Sequence, residues 1–222
     1  MRKTITFIVA MLIISIGTTA QTQNNSNNNS VSDYKESGFT NISEIEFGLG
    51  SGGSGFGLRT INGYQFNKHF FIGLGIGFNY QPNIPISPEN ILFAQGFNYN
   101  LKDLPVFIDV RYSILENEHS FFGYLDFGYS ILLSSYSNAT ISQPDSINNY
   151  YDNYKFSGGL MYAFGIGYKL FLSHNFAWTI SIGYNYTGTK ATDNYYNYGY
   201  INSSPSTYRI GDYFVLRIGF AF

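Results

Sequence analysis

Few residues in this chain have the type and spacing to do chemistry. The run Gly48-Leu49-Gly50-Ser51-Gly52-Gly53 matches G-x-G-x-x-G. Dinucleotide binding needs that pattern to end a strand and open a helix, whose first N–H groups take the pyrophosphate. Here Ser54 to Phe66 alternate at a period of two, so a glycine hairpin is expected and no cofactor. His69, His119 and His174 are the obvious bases or metal ligands. Each falls in or beside a short polar turn, which accounts for them without a metal. The absence of Cys excludes thiolate metal sites, Cys nucleophiles and disulfides. No Ser–His–Asp arrangement is visible. The expectation is a noncatalytic protein with no cofactor and no metal.

Eight other charged residues are harder to dismiss. Glu44, Glu46, Asp109 and Asp126 balance Arg59, Arg111, Lys169 and Arg217, and each sits inside a segment that is otherwise apolar or small. The segments that hold them alternate at period two, the signature of strands with unlike faces. Eight are expected, at about 41–51, 54–66, 69–81, 103–115, 120–134, 156–171, 175–187 and 207–222. The third is the clearest: Ile72, Leu74, Ile76, Phe78 and Tyr80 alternate with Gly73, Gly75, Gly77 and Asn79. The second is the weakest, because Thr60 and Asn62 fall on the apolar parity, and a bulge near Gly63 would restore the pattern.

Connections alternate in length. Asn67-Lys68, Glu116 to His119 and Ser173-His174 are tight turns, whereas three of the other links run to roughly twenty polar residues. Short turns at one end and long loops at the other describe an outer-membrane barrel with both termini on the periplasmic side. A secreted soluble ligand-binding barrel would show the same periodicity with its faces exchanged. Charge decides between them. The apolar parity carries no charge in mid-strand, and the other parity is mostly Gly, Ser and Asn, suited to a narrow lumen. The fold class expected is therefore all-β, an eight-stranded antiparallel up-and-down transmembrane β-barrel. Its charged residues form a lumenal ion-pair network, with Glu44 or Glu46 near Arg217 and Asp126 near Arg111. Eight strands leave room for side chains rather than an aqueous channel, so a small-solute pore is the alternative function.

Composition agrees. The chain of 222 residues is 19% aromatic and 12% charged, about half the charge of an ordinary soluble domain. A net charge of −2 gives no reason to expect nucleic acid. Residues 1–20 read as a signal peptide: basic Arg2 and Lys3, an apolar run from Ile5 to Ile16, then small residues up to Ala20. Residues 21–40 read as a disordered Asn/Ser-rich leader, and 41–222 as the barrel. The outward loops concentrate Tyr150, Tyr151, Tyr154, Tyr195, Tyr196, Tyr198 and Tyr200 beside Asp145, Asp152, Asp193 and Asp212. Tyr-rich surface is adaptable binding surface, so these tyrosines are the candidate site for an extracellular ligand. The other reading of the same residues is an aromatic extension of the barrel above the membrane.

Gly73-Leu74-Gly75-Ile76-Gly77, Leu104-Pro105-Val106 and the terminal run Phe214-Val215-Leu216-Arg217-Ile218-Gly219-Phe220-Ala221-Phe222 resemble the small outer-membrane β-barrel proteins of Gram-negative bacteria, the OmpX/OmpA-like "porin family" group. The resemblance spans roughly 40–222. It implies a monomer in outer-membrane lipid, whose last strand is read by the barrel assembly machinery through Phe220 and Phe222. Arg217 stands where that signal has Gly.

Overall fold

The computed structural model describes residues 37–50, 53–86, 97–115, 119–133, 136–141, 150–173, 176–197, 200–202 and 208–222. The signal peptide and nearly all of the leader lie outside them, as do His174, Asp145 and Tyr198. Every regular element among the described residues is a strand. In chain order they are β1 (Gly38–Gly50), β2 (Gly53–Gln65), β3 (Phe70–Ile86), β4 (Phe97–Ser113), β5 (His119–Leu132), β6 (Tyr136–Ile141), β7 (Tyr150–Ser157), β8 (Gly159–Ser173), β9 (Phe176–Asn197), β10 (Tyr200–Asn202) and β11 (Tyr208–Ala221).

Eight strands close a barrel in the order β1-β2-β3-β4-β5-β8-β9-β11, and β11 returns to β1. All neighbours are antiparallel, so the expected up-and-down barrel is borne out. Closure leaves no free edge in the ring. The register that closes it pairs Glu46 with Arg217 and Ile45 with Ile218. At one end the links are short. The Asn67 side chain accepts from the N–H groups of His69 and Phe70 at 2.9 and 2.8 Å, an Asx turn that carries β2 into β3. At the other end β1 meets β2 across the glycine run, where Gly53 has φ of +101°, a conformation that favours Gly. No helix follows Gly53, so the geometry that cradles a pyrophosphate is absent there.

Two expectations change. The second strand has no bulge at Gly63: β1 and β2 pair without interruption from Gly38↔Gln65 to Gly50↔Gly53. Thr60 and Asn62 therefore do face outward. The long polar links also carry strands of their own. β3 runs on to Ile86 and pairs with β4 as far as Phe97, and β9 runs on to Asn197. Above the ring β6, β7, β9 and β10 pair side by side. In sequence these stretches lack the alternation of the barrel wall. Period-two patterning then disappears while Tyr and Thr still favour strand.

Alternation sorts the ring into two surfaces. The outward row of β9, Trp178, Ile180 and Ile182, is about half exposed, and Leu74 and Ile166 reach 70% and 67%. The inward row holds buried Glu44, Glu46, Arg59, Asp109, Asp126 and Arg217. A barrel in water would reverse this, since a contiguous apolar surface of this size has no stable contact with water. Polar or aromatic markers bound the apolar band: Lys102 and Tyr112 on β4, Asp212 and Phe222 on β11, Tyr80 and Phe70 on β3. Each pair is ten residues apart. At ~3.3 Å per residue and a tilt of ~40°, the band is about 25 Å tall, the height of a bilayer's hydrocarbon as outer-membrane barrels meet it.

Aromatic girdles edge the band. At the tight-turn end His69 stacks on Tyr112 (5.6 Å between ring centroids) and His119 on Tyr168 (6.0 Å). At the other end Tyr162 stacks on Tyr186 at 4.7 Å, and the Lys102 ammonium lies 5.7 Å from the Tyr80 ring. Amphipathic rings with one polar edge suit both positions.

Candidate functional site

Inside the ring the charged side chains lie in layers. In the middle layer Arg59 from β2 and Arg217 from β11 share two carboxylates. Glu46 Oε2 is 2.9 Å from Arg59 Nη2 and 2.8 Å from Arg217 Nε. Asp126 Oδ2 is 2.8 Å from Arg59 Nη1 and 3.0 Å from Arg217 Nη1. Two guanidiniums and two carboxylates thus form a closed ring that ties β1, β2 and β11 to β5 across the lumen. Asn185 Nδ2 donates to the other oxygen of Glu46 at 3.2 Å. Nearer the tight-turn end, Arg111 pairs with Glu44 at 2.8 Å and with Asp109 at 2.9 Å. Nearer the long-loop end, Asp103 accepts from Asn79 Nδ2 at 3.2 Å and from Ser130 Oγ, and Tyr213 donates to Gln81 at 2.7 Å.

The register explains this distribution. Asp109 and Asp126 are directly opposite on β4 and β5, an arrangement of like charges that is unfavourable by itself. Each is taken by different arginines, Asp109 by Arg111 and Asp126 by Arg59 and Arg217. The close Asp126–Arg111 pair expected from sequence gives way to this division, because Arg111 reaches the nearer Asp109 two residues away on its own strand. Glu46 and Arg217 are brought together. Lys169 lies toward the tight-turn end, with its ammonium 4.5 Å from the Phe171 ring.

Rings fill the space between charges. Arg217 lies 4.3 Å from the Tyr124 ring, Arg59 5.0 Å from Phe107, and Arg111 5.5 Å from Phe122. An arginine over an aromatic face keeps part of its electrostatic stabilisation when removed from water. Each ring has a glycine directly opposite on the adjacent strand: Phe107 faces Gly75, Phe122 faces Gly167, and Tyr124 faces Gly165. A Cβ at Gly75 would stand 2.3 Å from the Phe107 ring, and one at Gly167 2.4 Å from Phe122. The glycines leave the volume that the rings occupy. Among the described residues the space left includes a cavity of about 20 Å³ beside Gln65, Phe71, Arg111 and Lys169, and another of about 10 Å³ beside Glu46, Asn79, Gln81 and Tyr213. Each is of the size of a single water.

Sequence reasoning missed Asp103, Phe107, Phe122 and Tyr124 as site residues. All share the parity of the charges that were recognised. The usable signal was the pairing of a large residue with Gly on adjacent strands, which appears only once the register is known.

The candidate tyrosines belong to the strands above the ring. Backbone register places Tyr151 opposite Tyr196, Asp152 opposite Tyr195, and Tyr154 opposite Asp193. Tyr150 stands opposite Ile141, and Tyr200 opposite Asn197. Tyr198 lies outside the described residues. Among the described residues no group of His, Cys, Asp and Glu is placed to hold a metal ion.

No family model matches this chain, and no curated protein does. Solved structures do. The outer membrane protein OprG from Pseudomonas aeruginosa superposes with a TM-score of 0.52 at 15% identity, over 85% of this chain and 97% of that one. The outer membrane protein AlkL, solved in lipid bilayers, superposes with a TM-score of 0.50 at 14% identity, over 90% of this chain and 96% of that one. At such identities the likeness concerns the fold. With a closed eight-stranded ring, a polar packed interior and an apolar exterior, this chain has the fold of the small outer-membrane β-barrels.

Proposed function

We propose that the chain is a noncatalytic integral outer-membrane barrel that presents the paired strands β6, β7, β9 and β10 above the outer leaflet to an external partner. Both termini lie in the periplasm, and Phe220 and Phe222 serve recognition by the assembly machinery. The observation that carries the reading is the ring of Arg59, Arg217, Glu46 and Asp126 across the lumen. Four buried ionic groups locked to one another across the lumen support a wall of fixed shape rather than a path for a solute. A rigid stave of this kind is a platform. The tyrosines of β7, β9 and β10 are the surface a partner would meet, rich in side chains that combine apolar area with a hydroxyl.

Recording in planar bilayers tests the closed lumen: the purified barrel should give no steady conductance, and sustained channels would overturn the reading. Protease added to intact cells tests the display. Cleavage should fall within 133–159 or 187–212 and leave the ring in the membrane. Cleavage that requires a permeabilised outer membrane would place those strands on the wrong side.

A further inference from the structure

Among the described residues, the charges of the lumen balance in two layers and not in the third. In the middle layer Arg59 and Arg217 stand against Glu46 and Asp126. Toward the tight turns Arg111 and Lys169 stand against Glu44 and Asp109. Nearer the long loops Asp103 is fully buried and held by neutral donors, Asn79 Nδ2 at 3.2 Å and Ser130 Oγ. The arginine whose charge reaches it, Arg59, is already shared by Glu46 and Asp126. Asp103 Oδ1 has no partner. A buried carboxylate without a countercharge is costly.

The cavity of about 10 Å³ lies one amide away from Asp103, bounded by Glu46, Asn79, Gln81, Asn185 and Tyr213. Asn79 and Asn185 are 6% and 3% exposed, and in each the amide oxygen has no partner. Their orientation is forced. Asn79 Nδ2 donates to Asp103 and Asn185 Nδ2 to Glu46 Oε1, both at 3.2 Å, and a flipped amide would set its oxygen against a carboxylate. Tyr213 spends its proton on Gln81 Oε1 at 2.7 Å. The unpartnered buried atoms of this wall are thus oxygens. Gly57 lies opposite both Glu46 and Asn79, and a Cβ there would stand 2.5 Å from Asn79 Oδ1, so that oxygen uses space only glycine leaves.

A guest in this cavity must satisfy acceptors and offset one negative charge. A water would satisfy the two amides and leave the charge of Asp103 unchanged. Transition metals favour imidazole or thiolate, and the wall has neither. Calcium takes six to eight oxygens and more carboxylate than Glu46 alone supplies. One uncompensated charge and room for one small occupant fit a dehydrated monovalent cation. We propose that the upper lumen binds a single sodium ion between Asn79 Oδ1, Asn185 Oδ1 and Glu46, with its charge offsetting Asp103. This departs from the expectation of no metal. It concerns the lumen alone and stands whether or not the outer strands meet a partner.

The test is urea unfolding of the purified full-length barrel in uncharged micelles at pH 8, in sodium, potassium or choline chloride at equal ionic strength. The midpoint should rise with sodium concentration, less with the larger potassium ion, and not with choline. Asp103→Asn should abolish the sodium dependence, whereas Asp109→Asn, in the layer nearer the tight turns, should keep it. Asn79→Leu deletes an unpartnered oxygen and leaves every charge in place. It should need roughly tenfold more sodium for the same shift, and it carries the test if Asp103→Asn does not fold. The folded parent should also broaden the sodium-23 resonance, and the Asn79→Leu barrel should broaden it less. Equal midpoints in sodium and choline, the result if a water fills the cavity and a proton neutralises Asp103, overturn the site. Sodium dependence that survives unchanged in Asp103→Asn or Asn79→Leu overturns it too.

Discussion

Replacing Arg217 with Met should destabilise the barrel by about 3 kcal/mol. Removing one partner of a buried ion pair costs roughly 3–5 kcal/mol, because the charge left behind stays out of water. Arg217 is 1% exposed and holds Glu46 at 2.8 Å and Asp126 at 3.0 Å. Both carboxylates keep a second contact with Arg59, at 2.9 and 2.8 Å, which sets the expectation at the lower end of that range. Met preserves most of the volume over the Tyr124 ring, so the loss is electrostatic rather than a cavity. The double variant Arg217→Met/Asp126→Leu removes balanced charges, and replacing a buried pair with apolar groups is often close to neutral. It should be no less stable than either single variant, where additivity would give about twice the loss. The assay is guanidinium unfolding in micelles, followed by fluorescence of the single tryptophan and by the shift of the folded band on unheated gels. An Arg217→Met barrel within ~0.5 kcal/mol of the parent, or additive losses in the double variant, would refute a tightly coupled lumen.

Other expectations are as definite. Gly75→Val puts a side chain into the Phe107 ring and should cost about 1–3 kcal/mol, most of it recovered by adding Phe107→Ala; both are measured by the same unfolding assay. Ile182→Lys, at mid-height on the outward face, should cost about 2–4 kcal/mol in a bilayer, whereas a water-facing site would change by less than ~0.5 kcal/mol. Phe222→Ala should reduce the heat-modifiable fraction recovered from outer membranes while leaving refolding of the purified chain in detergent nearly unchanged, which separates assembly from stability.

The barrel was legible in the sequence because lipid and lumen impose opposite demands on alternate residues. Ile72 to Tyr80 and Phe214 to Phe222 could hardly be read otherwise. Where one demand is missing, the reading fails. β6, β7 and the upper part of β9 lack that alternation, and their residues looked like loops. Thr60 and Asn62 broke the pattern and invited a bulge, since one strand read alone does not show that Asn41 and Ser43 answer them on its neighbour. The same limit applied inside. Parity placed Glu46 and Arg217 in the lumen, and equal height put them side by side. The reach of Arg59 and Arg217 across to Asp126 depends on curvature and on the rings of Phe107 and Tyr124. Parity makes Phe107 and Tyr124 inward residues, but only register shows the glycines that admit them.

Trp178 offers the most direct test of an inside-out barrel. It is the single tryptophan, it lies 51% exposed on the outward face, and it pairs with Phe220 near the tight-turn girdle. Opposite Leu170, two residues below the girdle Tyr168, it should sit at the edge of the hydrocarbon, close to the headgroups. In liposomes its emission should be blue-shifted and quenched by brominated lipids, more strongly by bromines near the headgroup than by bromines at the bilayer centre. Emission at the wavelength of water-exposed tryptophan, indifferent to brominated lipid, would contradict the account.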